Sequence, residues 1–250
     1  LVAAARGAAA KGRPGGILEV GTYCGFSAVR LAAALPGTPV VTFEMDPVHV
    51  VVARNIVALA GLAQRVSVLT GHSSSLLPSL AAPCGRPPLR RWEPVAFSAV
   101  FMDRWGSQYH EDLELLERNA LLCPGALVIA DNVLRTGAPL FLWRTVPSGA
   151  TASQRRPCLG RQVVRVSEFA MSTEDWLSIS VHRRAQQSAS EHPGATVEEA
   201  ALDGVSQLHE ASEQMRERVF GPGRSVSLAE RDAFAELMQA GFARTGIARA

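Results

Sequence analysis

Lysine is almost missing from this chain. Of its 25 Lys and Arg residues, Lys11 is the one lysine and arginine carries the rest of the positive charge. Where a reaction calls for a lysine elsewhere in the chain, no neighbour can stand in. Cysteine is also scarce: Cys24, Cys84, Cys123 and Cys158 are scattered, with no C-x-x-C pair. That excludes a disulfide scaffold or a cysteine zinc site and suggests free thiols in a reducing, cytoplasmic setting. Neither sign of charge dominates. A net charge of +2 argues against a dedicated nucleic-acid binder. No apolar run reaches membrane-spanning length. The chain opens on Leu1 instead of Met, so an upstream leader or anchor stays open.

What is present suffices for one α/β domain with an appendage: 250 residues, 47% of them hydrophobic. The organising stretch is Ile17-Leu-Glu-Val-Gly-Thr-Tyr-Cys-Gly-Phe-Ser27. Ile17, Leu18 and Val20 read as a buried strand, and Ser27 to Leu35 as a helix with Ser27 at or near its N-cap. Gly21 and Gly25 lie in the turn between them. Glu19, a carboxylate inside an apolar strand, needs a polar partner. An ordinary βα turn accounts for a glycine pair. A dinucleotide turn wants G-x-G-x-x-G, and the middle glycine is absent. An acidic residue followed by widely spaced glycines favours the S-adenosylmethionine turn of class I methyltransferases.

The rest of the chain alternates strands and helices. Strands are expected at 40–44, 66–70, 99–103, 126–131, 162–167 and 176–181. Helices are expected from Asp46-Pro47 to Leu59, from the 71–75 turn to Leu80, and over 110–122. Residues 81–94 and 145–157 read as loops. The pattern predicts an α/β fold with a doubly wound, mostly parallel, seven-stranded Rossmann-like sheet. Residues 186–194 read as a polar linker. Thr196-Val-Glu-Glu199 and Ser227-Leu-Ala-Glu230 are capping-box signatures, opening a helix to Phe220 and a second one bearing Phe234, Leu237 and Met238. Residues 1–184 are therefore expected to form the catalytic domain, and 185–250 a linker and helical hairpin, or a solvated tail.

In such a sheet, functional groups collect beyond the carboxyl ends of the strands. Glu44 ends strand two, where a carboxylate can accept both hydroxyls of a ribose. Ser73 and Ser74 follow strand three, where hydroxyls and amides can hold an adenine edge, although a plain polar turn explains them equally well. Asp103 ends strand four, and Asp131-Asn132 end strand five. Two carboxylates and an amide at neighbouring strand tips suit Mg²⁺, with water and substrate completing an octahedron. Each acid alone is as readily a helix cap.

Three segments carry a resemblance to the catechol O-methyltransferase family: Leu18-Glu-Val-Gly-Thr-Tyr-Cys-Gly-Phe-Ser-Ala-Val-Arg30, Phe101-Met-Asp-Arg-Trp-Gly-Ser-Gln-Tyr109 and Ala130-Asp-Asn-Val-Leu-Arg-Thr-Gly-Ala-Pro139. The resemblance extends over 1–181. It implies that Gly21, Tyr23 and Ser27 hold the methionine end of S-adenosylmethionine, with Glu19 as a further cofactor-site acid. Glu44 would hold the ribose, Ser73 and Ser74 would lie near the adenine, and Trp105 against its ring. Asp103, Asp131 and Asn132 would bind Mg²⁺, and Glu168 would orient the non-reacting hydroxyl of the acceptor. The helices that cover the cofactor in the family would lie upstream of Leu1.

The departures fall on the acceptor side. The histidine after the first metal aspartate is replaced by Arg104, the catalytic lysine by Gly106, and the slot-lining proline by Thr136. The resemblance implies Mg²⁺-dependent methyl transfer to a catechol. Another vicinal-diol phenolic acceptor, or a cofactor-binding scaffold without chemistry, stays open beside it.

Overall fold

The computed structural model describes residues 2–3, 5–6, 15–81, 96–146, 158–167, 174–182, 196–221 and 225–247. Seven strands form one sheet: β1 (Gly16–Val20), β2 (Val40–Glu44), β3 (Val66–Thr70), β4 (Phe97–Met102), β5 (Leu122–Ala130), β6 (Cys158–Ser167) and β7 (Glu174–His182). Their order is β3-β2-β1-β4-β5-β7-β6. β1 runs parallel to both β2 and β4, and β2 runs parallel to β3. Among the described residues, the helices that follow β1 are α1 (Phe26–Ala34), α2 (Pro47–Leu59), α3 (Ser73–Ala81), α4 (Tyr109–Arg118), α5 (Pro139–Arg144), α6 (Thr196–Phe220) and α7 (Leu228–Thr245). A single 3₁₀ turn, Gly106–Gln108, precedes α4. The expected α/β sheet of seven strands with a helical C-terminal region is the observed one. No helix among the described residues is long and apolar enough to cross a membrane.

Several boundaries differ from the sequence reading. α1 starts at Phe26 behind Gly25, which is left-handed (φ 83°) and offers no side-chain cap, so Ser27 lies inside the helix. Only a residue without a Cβ takes that conformation cheaply. β5 begins at Leu122, four residues earlier than its apolar run, because Pro124-Gly125 is carried within the strand. β6 also begins four residues early, at Cys158. The boundaries of β2, β3, α2 and α6 match the expected ones. Asp46 caps α2 by accepting from Val48 N–H at 2.7 Å. Ser227 and Glu230 form a full capping box at the start of α7. Residues 82–95, Glu168 and the linker 186–194 lie outside the described residues.

The chain divides into two compact units. The first comprises Leu1–Arg104, Glu111–Ile129 and His182–Arg184. Its core is the layer between β1–β3 and the helices α1 and α2: Ile17, Leu31, Val40, Val50, Ala53 and Val66 are all buried. The second comprises Trp105–His110, Ala130–Val181 and Ala185–Ala250. Here α6 and α7 form a hairpin with a core of its own, from Val205, Leu208 and Met215 on one helix and Phe234, Ala235, Met238 and Phe242 on the other. Gly241 allows the close crossing, since a Cβ there would overlap the Leu208 side chain.

The hairpin is not a solvated tail. α6 packs on α5 and on the 3₁₀ turn. Ser212 on α6 donates its hydroxyl to the carbonyls of Thr136 and Gly137 at 2.8 and 2.9 Å. Buried Arg161 of β6 donates to Leu142 O at 2.6 Å and also to Ile247 O just beyond α7. Phe242 is fully buried and lies 6.0 Å from Trp176, ring centre to ring centre. Phe242→Ala should lower the unfolding free energy by about 3–5 kcal/mol, read from chemical denaturation. A loss under 1 kcal/mol would mean that the hairpin contributes little to the fold.

Candidate active site

In the first unit, the turn after β1 is built on a close backbone approach. Gly21 has φ +102°, and a Cβ there would fall onto the Asp103 carbonyl, 2.8 Å from its carbon atom. The Asp103 N–H in turn donates to Val20 O at 2.9 Å. The need for glycine at Gly21 is thus set by the neighbouring strand as well as by any ligand. Replacing it would disrupt the β1–β4 tips before it blocked a binding path.

Glu44, at the tip of β2, is held beside this turn. Its Oε2 accepts the Tyr23 N–H at 2.8 Å and its Oε1 accepts the Asp46 N–H at 2.9 Å. The acid is therefore oriented by two backbone donors while keeping further lone pairs for hydroxyl groups. Around it lies an apolar rim: Tyr23, Phe26, Met45 and Val48 are each about two thirds exposed or more. Large apolar side chains gathered at one exposed spot mark a contact surface. The Tyr23 ring stacks edge-on against His49.

Glu19 is fully buried in β1. Its Oε2 accepts the Thr42 hydroxyl at 2.5 Å, and Thr42 is in turn bonded to Thr22. Its other oxygen, Oε1, makes no close hydrogen bond among the described residues, although the Ser27 hydroxyl lies near the carboxylate. Burial pushes its pKa up to about 7, against the smaller opposing effect of the Ser27 and Thr42 hydroxyls, with the Asp103 and Glu44 charges adding to the rise. A half-satisfied buried acid beside a ligand turn is suited to a cationic ligand.

Beyond β3, the Ser73 hydroxyl is buried with no hydrogen-bond partner, which fits an adenine edge. Ser74 is instead engaged with His72, hydroxyl to Nδ1 at 2.8 Å. His72 lies 3.4 Å from the Arg104 guanidinium, whose Nε donates to buried Asp112 at 2.7 Å. Arg104 is thus fastened by an acid on α4 that the sequence reading missed.

The second unit holds Trp105, Asp131 and Asn132. Asn132 is left-handed (φ 54°). Its amide nitrogen donates to Asp175 Oδ2 at 2.9 Å, which turns the amide oxygen outward as an acceptor. Asp131 Oδ1 accepts the Asn132 N–H at 2.9 Å. Asp175, also unforeseen, takes three more N–H bonds at Oδ1, from Leu134, Arg135 and Trp176. Oxygen donors of this kind fit Mg²⁺ in their chemistry. Among the described residues, no cluster of three or more His, Cys, Asp or Glu could hold a metal. The expected set has two carboxylates and one amide, with Asp103 in the first unit and the other two in the second. Trp105 packs edge-on against Phe220 of α6, with ring centres 5.5 Å apart.

Two of the sequence departures explain each other. The Gly106 N–H donates to the Thr136 hydroxyl at 3.0 Å, and that hydroxyl donates to Asn132 O at 2.7 Å. A Cβ at Gly106 would lie 2.5 Å from the same hydroxyl and 3.0 Å from Gly137 O. Glycine and threonine at these two positions form one packing unit, and a lysine does not fit beside this threonine.

The chain matches a family model described as a methyltransferase domain over residues 18–133. Catechol O-methyltransferase of Sus scrofa is 39% identical over 131 residues, covering 52% of this chain and 66% of that one. A transmembrane O-methyltransferase homolog of Mus musculus is 40% identical over 138 residues, covering 54% and 50%. The chain spans less than two thirds of the length of these relatives. Among solved structures, the O-methyltransferase of tomaymycin synthesis from Streptomyces achromogenes, solved with S-adenosylmethionine, is 25% identical with a TM-score of 0.54 over 73% of this chain and 78% of that one. The Bacillus cereus O-methyltransferase shares the fold at 23% identity and a TM-score of 0.54, over 73% of this chain and 80% of that one. Sheet order and glycine turn define a class I methyltransferase fold. Over the matched region the chain resembles the catechol O-methyltransferase family within that class.

Glu19 generates a pH prediction. Its proton leaves near pH 4.5 in the unfolded chain and near 7 in the native one. The native state therefore holds the proton longer, and stability falls as pH rises through this window, by about 3 kcal/mol in all. Glu19→Gln should flatten the slope between pH 4.5 and 7.5 in denaturant melts. An unchanged slope would show that Glu19 titrates normally.

Proposed function

We propose that this chain binds S-adenosylmethionine at the tips of β1 and β2 and transfers its methyl group, with Mg²⁺, to a hydroxyl of a catechol or another vicinal-diol phenolic. The observation that carries this reading is the oriented Glu44 carboxylate beside the Gly21 turn, in a chain that resembles this family. Glu44 would accept the ribose hydroxyls, Ser73 the adenine edge, and Glu19 would face the cationic methionine end together with Gly21, Tyr23 and Ser27. Asp103, Asp131 and Asn132 would hold Mg²⁺, which when bound supplies a Lewis acid that lowers the pKa of the accepting hydroxyl.

The chain's own residues then position the acceptor oxygen in line with the sulfonium methyl. Asp175 fixes the Asn132 amide so that its oxygen is presented outward. Glu168 is assigned to the second hydroxyl on the family resemblance. No lysine takes the acceptor's proton, since Gly106 stands in that place. His110 is the histidine nearest to Gly106 in the sequence. With its Nδ1–H donating to Ser107 O at 2.9 Å, Nε2 is the basic nitrogen. General base catalysis is worth roughly 10²- to 10⁴-fold, so its loss slows transfer without abolishing it.

The test is methyl transfer from labelled S-adenosylmethionine to a catechol panel, with and without Mg²⁺, across pH. Transfer should be slow, Mg²⁺-dependent and faster as pH approaches the ionisation of the catechol. Asp131→Ala should remove Mg²⁺-dependent transfer while leaving cofactor binding largely intact. Gly106→Lys alone should lower the melting temperature, whereas Gly106→Lys with Thr136→Ala should raise the neutral-pH rate. If no catechol is methylated at any pH by the native chain or by the double variant, the cofactor-binding scaffold becomes the better account.

A further inference from the structure

The second unit contains a cavity of about 230 Å³. That is below the usual range of roughly 300–1,000 Å³ for small-molecule sites, and it suits one substituted aromatic ring better than a polycycle. Its walls include Trp105, Asn132 and Thr136 on one side, with Met215 and Val219 of α6 and Arg231 of α7 contributed by the hairpin. Met215 and Val219 are four residues apart, so they share one helix face. The hairpin therefore supplies the apolar roof that a ring would lie against.

The charge of this cavity is one-sided. Its acid, Asp175, already accepts four N–H bonds, from the Asn132 amide and the Leu134, Arg135 and Trp176 backbone. Arg135 is paired with Asp232 at 3.3 Å. Arg231 makes no ion pair among the described residues. The Trp105 indole N–H is buried and has no acceptor. A ligand entering here meets an unneutralised guanidinium and an unused donor but no acid with open lone pairs of comparable access.

From this we infer that the cavity is the acceptor pocket, and that Arg231 selects an aromatic diol carrying an anionic group, such as a carboxylate, over a neutral or cationic one. The inference rests on the methyl-transfer reading for its role and on the cavity alone for its charge preference. Guanidinium–carboxylate bonds are directional and stronger than neutral ones. An ammonium in the same place would face a like charge.

The test separates binding from turnover. Equilibrium binding of 3,4-dihydroxyphenylacetate, catechol and dopamine is measured by calorimetry on the full chain, and methylation of each is followed in parallel. The acid should bind roughly tenfold or more tightly than catechol, and dopamine most weakly. Arg231→Ala should erase the preference for the acid, and Arg231→Lys should keep part of it. Arg231 is largely exposed, so neither variant threatens the fold. Equal binding of acid and catechol by the native chain, or a preference that survives Arg231→Ala, overturns the inference. Arg231-dependent binding without methylation of any acceptor would leave the pocket standing and sink the methyl-transfer reading. Methylation with no preference for the acid would do the reverse.

Discussion

The first unit depends on the close approach of two backbones. β1 and β4 run side by side to their tips because Gly21 has no side chain to hold the Asp103 carbonyl away. With that approach fixed, the turn after β1 leads into α1 through a left-handed Gly25, and the Tyr23 N–H reaches the Glu44 carboxylate from β2. One glycine thus sets where two acids and a helix start come to lie. The cost is a buried Glu19 within the same strand, which keeps its proton to about pH 7 until something cationic makes the charge worth holding.

In the second unit, hydroxyls and amides do the organising. Thr136 ties Gly106 to the backbone after β5, Ser212 of α6 caps the carbonyls of Thr136 and Gly137, and Asp175 gathers four N–H groups around Asn132. The Ser107 hydroxyl donates to Glu213 of α6. Burial works to raise the Glu213 pKa, but hydrogen bonds from Arg216 and Ser107 hold it below the usual carboxylate range. The Ser212, Asp175 and Ser107 contacts join the segments following Asp103 and Asp131 to the β7 start or the hairpin. The hairpin is therefore built into the surroundings of Gly106 and Thr136, two of the positions that depart from the family pattern.

Local pattern was enough to read most of the fold. Short segments rich in β-branched and apolar residues gave β2 and β3 their boundaries, and Asp46-Pro47 and Ser227-x-x-Glu230 announced their helices through cap chemistry. Where a local rule met an exception, the reading slipped: Pro124-Gly125 looks like a strand breaker yet lies in β5, and a left-handed glycine starts α1 where Ser27 seemed the natural cap. The strand-tip positions of Gly21, Glu44 and Ser73 were legible because strand tips follow from strand boundaries. Asp112, Asp175 and Ser212 were not. Each acts on a partner set by tertiary packing, Asp175 on Asn132 across 43 positions and Ser212 on Thr136 across 76, and no spacing rule reaches that far.

The Gly21 turn and the Glu44 carboxylate beside it carry the central claim. Titration calorimetry with S-adenosylmethionine and with NAD, on the native chain and on Glu44→Ala, addresses it directly. The account predicts saturable binding of S-adenosylmethionine, none of NAD, and a loss of roughly tenfold or more in affinity without the Glu44 carboxylate, the scale of a charge-assisted hydrogen bond. Binding of NAD in place of S-adenosylmethionine, or S-adenosylmethionine affinity unchanged in Glu44→Ala, would contradict it.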